Sequence, residues 1–132
     1  MEILLRLATA QDIAALIELQ TRSMSKLLTP YYTAPQITAI VRSQITARST
    51  EEICLIAELT GKIVGFAALL PTQGQISAVF VHPDFARQGV GTKLLVALEK
   101  YALSAKCRAL SVMSSLTAVA FYQAQGYQIL YK

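Results

Sequence analysis

Apolar positions along the chain change their period several times, and each change marks an element. Ile3 to Leu7 is a short apolar run that reads as a strand. Thr9 then precedes a segment in which Ile13, Leu16, Ile17 and Met24 keep helical spacing, with Asp12 in the first turn. Thr33 with Gln36 makes a second capping-box signature. Pro35 suits a first turn, and Ile37, Ile40, Val41 and Ile45 line one face of the helix that follows. Ile53 to Leu59 and Lys62 to Leu70 are β-rich runs joined around Thr60 and Gly61, which predicts a tight antiparallel hairpin. Pro71 to Gly74 supplies the next turn, and Gln75 to Val81 is another strand, ended by Pro83. From Gly89 onward Val90, Leu94, Leu98 and Tyr101 return to helical spacing. A strand at Ala109 to Met113, a helix from about Leu116 to Gln125 stopped by Gly126, and a last strand at Tyr127 to Tyr131 complete the pattern.

The order is therefore βααβββαβαβ. A strand, a long helix and a further strand in succession point to an α/β sheet with helices on both faces. No repeat, low-complexity tract or linker divides the 132 residues, and that length suits a single domain over 1–132. Hydrophobic residues make up 54% and charged residues 15%, against roughly a quarter charged in an average soluble protein, which excludes disorder and coiled coil. The longest apolar run, Ile63 to Leu70, is far too short to span a membrane, and Glu2 and Arg6 interrupt the N-terminal apolar stretch, so no secretory signal is read. A cytoplasmic protein is the expectation. Cys54 and Cys107 are isolated thiols in apolar segments and read as inert. With His82 the only histidine, neither a metal site nor a Ser-His-Asp triad has much material to draw on. The net charge of +4 arises from 12 basic and 8 acidic residues scattered along the chain, which fits a small anionic ligand better than nucleic acid.

Chemistry concentrates between Gln75 and Leu95. An apolar strand enters the turn His82-Pro83-Asp84-Phe85-Ala86-Arg87, and Gln88-Gly89-Val90-Gly91-Thr92-Lys93 opens a helix. The first amides of a helix lack internal partners and the helix dipole adds partial positive charge, so such a junction favours an anion. Gly89 and Gly91 let backbone approach a phosphate, and Arg87 and Lys93 add full charges nearby. A plain helix entry, with the glycines serving only the turn, is the other way to read the same residues. The segment does not match a Walker A loop, because Thr92 precedes Lys93, nor a Rossmann fingerprint, because Leu94 stands where a third small residue belongs.

Ala86-Arg87-Gln88-Gly89-Val90-Gly91, following Val81-His82-Pro83, resembles the acetyl-CoA loop of the GNAT superfamily of N-acetyltransferases, usually written Q/R-x-x-G-x-G/A. The likeness spans nearly the whole chain. Arg6, Ala8, Thr9 and Asp12 resemble the usual family start. Ala57-Glu58-Leu59 through Gly61 to Val64-Gly65-Phe66 is similar to the central hairpin, and Ala120-Phe121-Tyr122 before Gly126-Tyr127 to the C-terminal helix and strand. The resemblance implies a single-domain GNAT-like mixed sheet whose final strand is short or missing. Three departures stand out. Ala86 replaces the motif's first Gln or Arg, so either Arg87 supplies that phosphate contact or the contact is absent. Thr117 stands where an Asn often begins the last helix. The sequence stops at Lys132, just after the strand where family members usually add another, so that edge is either absent or covered by a partner chain. An exposed edge is a pairing liability, and a homodimer is one way to cover it.

Acetyl transfer from a thioester to an amine requires a neutral amine, a donor for the oxygen that becomes charged and a proton for the departing thiolate. The resemblance puts the CoA pyrophosphate on the amides of Gln88, Gly89, Val90, Gly91 and Thr92, and the pantetheine arm along Val79 to Val81. An amide of Val79, Phe80 or Val81 would polarise the thioester carbonyl, and Tyr122 stands at the family's general-acid position. Core packing beside Phe121 is the alternative role for Tyr122. No strand carboxylate is available as a base, since Gln75, Ser77 and Val79 occupy that stretch. Glu58 is the first candidate. His82, of a residue type that ordinarily titrates near neutral pH, is the second, with a capping role as its alternative. A substrate that arrives deprotonated needs neither. Tyr31 and Tyr32, between the first two helices, are candidates to line the acceptor pocket, or simple packing. The expected function is N-acetylation of a primary amine on a small molecule or peptide with acetyl-CoA as donor, with no metal. The alternative is a non-catalytic acetyl-CoA sensor or regulatory module.

Overall fold

A computed structural model describes residues 2–46, 51–112 and 118–129. Five strands form one sheet in sequential order: β1 (Ile3–Leu7), β2 (Ile53–Leu59), β3 (Lys62–Leu70), β4 (Gln75–Val81) and β5 (Ser111–Val112). The first three pairings are antiparallel. β5 lies parallel to β4 because the 15-residue helix α3 (Val90–Ser104) carries the chain back between them. Two helices, α1 (Ile13–Leu28) and α2 (Ala34–Thr46), separate β1 from β2, and a short helix α4 (Val119–Ala124) follows β5.

Side-chain alternation divides the sheet into two faces. Ile56, Phe66, Ala68 and Ala78 pack against Leu16, Ile17 and Leu19 of α1 and Ile37, Val41 and Ile45 of α2. Leu55, Ala57, Leu59, Ala67, Leu69 and Ile76 pack against Val90, Leu94, Leu95 and Leu98 of α3 and Tyr122 of α4. Helices thus cover both faces, as the sequence pattern anticipates. Phe66, Ile56, Leu94, Leu95 and Leu98 are fully buried, each contributing about 1.5–3 kcal/mol of transfer free energy.

Local chemistry fixes the element starts. Gln36 N–H donates to Thr33 Oγ1 at 3.3 Å and Thr33 N–H to Gln36 Oε1 at 2.9 Å, the reciprocal box that opens α2. Thr9 and Asp12 form the same box one element earlier, but around a single 3₁₀ turn (Ala10–Asp12), so α1 begins at Ile13. The expected strand at Ala109 to Met113 is shorter, pairing only through Gln75↔Ser111 and Ile76↔Val112, and Met113 lies outside the described residues. Of the expected last strand, Tyr127 to Ile129 carry no strand pairing and Leu130 to Lys132 lie outside the described residues. Tyr101, expected on the buried stripe of α3, is exposed at its margin, where Ala102 takes the core position instead.

Candidate active site

The site starts at the end of β4. His82 N–H donates to Val64 O at 2.8 Å across to β3, so the backbone groups of residues 80 and 82 face β3 while those of 79 and 81 face the other way. On that other side β5 pairs with β4 only as far as Ile76. From Ser77 to Val81, this edge of β4 therefore has no strand partner among the described residues. Of the three candidate amides on this strand, the geometry turns Val79 and Val81 towards the open edge and Phe80 towards β3. The Phe80 ring stacks on Phe66 at 5.3 Å in the α1–α2 core.

Beyond Val81 the chain makes a 3₁₀ turn (Pro83–Phe85) capped by His82, whose Nδ1 accepts from the Asp84 amide at 3.1 Å. His82 is 7% exposed and packs edge-on against Phe85 at 5.6 Å. An Nδ1 that accepts places the neutral ring's hydrogen on Nε2. The ring also lines a cleft of about 370 Å³ between α1 and the β2–β3 turn, shared with Glu18, Arg22, Lys62 and Asp84. A larger cleft of about 460 Å³ lies at the opposite end of α3 and is lined by none of the candidate site residues expected from the sequence.

Next comes the glycine loop. Phe85 and Ala86 amides are used by the turn, and the first helical bond is Lys93 N–H to Gly89 O at 3.0 Å. Between them, the amides of Arg87, Gln88, Gly89, Val90, Gly91 and Thr92 have no backbone acceptor among the described residues. Gly89, the N-cap, has φ +83° with open space where a Cβ would be, and it offers α3 no side-chain cap. The dipole of a 15-residue helix ends on this row of donors, with the exposed Arg87 and Lys93 at its flanks. Val90 contributes only its amide, since its side chain is buried against Gly65.

A Cβ on Gly91 would sit 3.4 Å from Phe121 Cζ and 3.6 Å from Val81 Cγ2, which seats α4 against both the helix start and the open strand. Gln125 Nε2 donates to Thr92 Oγ1 at 3.3 Å and holds the far end of α4 in place. Tyr122 is 8% exposed, edge-on to Phe121 at 5.1 Å and to Tyr127 at 5.7 Å. Burial raises its phenol above the usual tyrosine value, so it holds its proton throughout the neutral range. Its hydroxyl has no hydrogen-bond partner among the described residues. Packing and an available proton coexist at this side chain.

Glu58 lies on the α1–α2 side of the sheet, where its Oε1 accepts from Arg6 Nε at 2.7 Å. Arg6 also grips Asp12 with both terminal nitrogens at 2.9 and 2.8 Å, so β1, β2 and the start of α1 share one charge network. Tyr31 and Tyr32 follow the end of α1 and are 79% and 43% exposed. Thr117 lies outside the described residues. Sequence reasoning missed Gln125 and also Ser23 of α1, whose Oγ donates to Val81 O at 2.8 Å from 58 residues away. No local signal marks either, because both act through tertiary contacts.

Among the described residues, then, a parallel pairing that ends at Ile76↔Val112 lies beside a helix start whose amides have no backbone acceptor. A model of the acetyltransferase (GNAT) family matches residues 13–127, and the chain belongs to that family. It superposes on a GCN5-related N-acetyltransferase structure from Rhodopseudomonas palustris with TM-score 0.79 and 31% identity, covering 95% of this chain and 81% of the other. The PaiA N-acetyltransferase of Thermoplasma acidophilum, solved in complex with coenzyme A, shares the fold with TM-score 0.80 at 20% identity, covering 98% and 92%. Among curated proteins, mycothiol acetyltransferase of Stackebrandtia nassauensis is 42% identical over 60 residues, 44% of this chain. The match spans 20% of that relative's length. No helix among the described residues is long and apolar enough to cross a membrane.

Proposed function

We propose that this chain is an acetyl-CoA-dependent N-acetyltransferase that moves the acetyl group to a primary amine of a small molecule or peptide. The observation that carries the reading is the row of unpartnered amides from Arg87 to Thr92, continuous with the open edge of β4 at Val79 and Val81. A diphosphate suits the first and a chain of amides the second. The fit is also steric: Gly89 leaves the loop open, whereas Gly91 is filled from behind by Phe121. The family's use of acetyl-CoA and the coenzyme A complex of a neighbour in fold agree with this. Both cores share one sheet, which supports treating residues 1–132 as one domain.

Acetyl-CoA, when bound, supplies a thioester whose carbonyl carbon is open to an amine. Gln88 through Thr92 would hold the pyrophosphate, with Arg87 adding charge, and Val79 N–H would donate to the thioester carbonyl oxygen. Tyr122, which burial keeps protonated, would give its proton to the departing sulfur as the C–S bond breaks, and the nitrogen that has bonded to the carbonyl carbon would shed its extra proton to water, from which the phenolate is reprotonated. Glu58 is engaged with Arg6 and His82 with the Asp84 amide, so the reading assigns neither as base, and the amine arrives neutral. Tyr31 and Tyr32 are left to contact the acceptor from their exposed turn.

The test is thiol release from acetyl-CoA over a panel of amines, with calorimetry of acetyl-CoA binding in parallel. Turnover on at least one amine, and loss of binding in Gly89→Glu and Gly91→Glu, is the expected result. Tight binding with no turnover on any amine favours the sensor alternative, and absence of binding overturns both.

A further inference from the structure

Hydroxyls along α1 divide into two kinds. Thr21 Oγ1 donates back to Ile17 O at 2.7 Å, Ser25 Oγ to Thr21 O at 2.6 Å, and Thr29 Oγ1 to Ser25 O, each four residues earlier on its own helix. Ser23 breaks this habit. Its Oγ leaves the helix and donates to Val81 O at 2.8 Å, one of the two carbonyls that β4 presents to its open edge. A serine hydroxyl has one hydrogen and two lone pairs. With the hydrogen committed to Val81, Ser23 can offer nothing but acceptance, and it accepts from no group among the described residues. An oxygen in that state, half-buried beside the end of β4, matches a ligand N–H and discriminates against a ligand carbonyl or carboxylate.

We infer that Ser23 is a ligand-orienting residue that receives an N–H from a molecule in the cleft, an inference that rests on the transferase reading above. Two sources carry that chemistry, a pantetheine amide of the donor and the amine of the acceptor, and both belong beside Val81. Ser23 also ties α1, and through it the Tyr31–Tyr32 turn, to the strand that would hold the thioester. Orientation of the ligand and seating of the helix therefore depend on one side chain.

The experiment compares Ser23→Ala, Ser23→Thr and Ser25→Ala with the parent in steady-state acetyl transfer, varying acetyl-CoA and amine separately, with calorimetric titration of acetyl-CoA. Ser25→Ala removes a hydroxyl two residues away that only bonds back to its own helix. Loss of one neutral hydrogen bond corresponds to about a three- to ten-fold rise in a KM or Kd. A rise confined to acetyl-CoA in Ser23→Ala assigns the N–H to pantetheine, and a rise confined to the amine assigns it to the acceptor. In either case Ser23→Thr restores the parent value and Ser25→Ala leaves it unchanged. Unchanged KM for both substrates in Ser23→Ala, while the parent turns over, overturns the proposal and leaves the transferase reading intact. If the parent acetylates no amine, the transferase reading fails first, and an unaltered calorimetric affinity in Ser23→Ala then overturns this one as well.

Discussion

Substituting Gly65 by alanine should weaken acetyl-CoA binding without touching the ligand. Gly65 faces Val81 across the β3–β4 pairing, beneath the elbow where the loop begins. A Cβ there would meet Val90 Cγ1 at 2.9 Å, Leu94 Cδ1 at 3.1 Å and Phe80 O at 3.1 Å. Ordinary carbon contacts lie at about 3.5–4.0 Å, so the first turn of α3 must lift by roughly half an ångström or more. The Phe80 carbonyl is part of the sheet and cannot swing aside, which leaves the helix to move. Overpacking of this kind costs about 1–3 kcal/mol, and a loss of about 2 kcal/mol lowers Tm by roughly 6–10 °C in a chain of this size. Val90 opens α3, so the lift also displaces the donor row. One misdirected amide-to-phosphate bond, worth about 1.5–3 kcal/mol, raises Kd by roughly 10- to 100-fold. Calorimetric titration with acetyl-CoA and a thermal melt on the same sample read the two effects. Adding Val90→Ala removes the closest clashing atom and should recover much of the affinity, a coupling that independent sites would not show. If Gly65→Ala melts earlier yet binds acetyl-CoA as tightly as the parent, the seating of α3 on Gly65 does not set the anion site and the reasoning fails.

Three further outcomes follow from the site and its supports. Tyr122→Phe should lower kcat by about 10- to 100-fold with acetyl-CoA affinity nearly unchanged, because only the proton donor is lost. Since burial raises this phenol, parent activity should rise with pH as the amine deprotonates and show no falling limb below about pH 10, and a limb near neutrality would remove Tyr122 from the acid role. Asp12→Asn should destabilise by about 2 kcal/mol, less than for a fully buried pair because Arg6 is 39% exposed. The Arg6 guanidinium and the Thr9 amide hold the Asp12 carboxyl below the usual carboxylate range, so its contribution is complete above about pH 4 and fades as pH falls further. Urea unfolding at pH 3 and pH 7 should therefore differ less in the variant than in the parent. His82→Asn should preserve the turn, since its side-chain oxygen can still accept from the Asp84 amide, whereas His82→Ala should lose about 1 kcal/mol, and equal melts for the two would deny the cap its importance.

Much of this architecture was legible in the residue pattern because local rules and tertiary demands agree there. Thr33 with Gln36 marked a helix start that the hydrogen bonds reproduce, Thr60 and Gly61 marked a hairpin, and Gly89 marked a junction that requires positive φ. Features that the residue pattern left open depend on distant partners. Among the described residues β5 pairs with β4 at Ser111 and Val112, a register that the α3 crossover sets rather than either strand's own composition. Glu58 looked like an available carboxylate until β1 brought Arg6 beside it. Phe80 was one of three equivalent candidates until the register with β3 turned its amide away. Ser23 carries no motif, and only the crossing of α1 over β4 gives its hydroxyl a partner.

Among the described residues the seam between β4 and β5 closes through two residue pairs, and β4 has no strand partner on that side from Ser77 to Val81. On the proposed function a cofactor lying along that stretch binds only the folded chain, so its occupancy would add to stability as well as to reaction. At a free concentration 100 times its Kd, a ligand of the native state adds about 2.7 kcal/mol to unfolding. Withdrawal of acetyl-CoA would, on that function, lower the unfolding free energy by the same amount, which a melt with and without the cofactor reads.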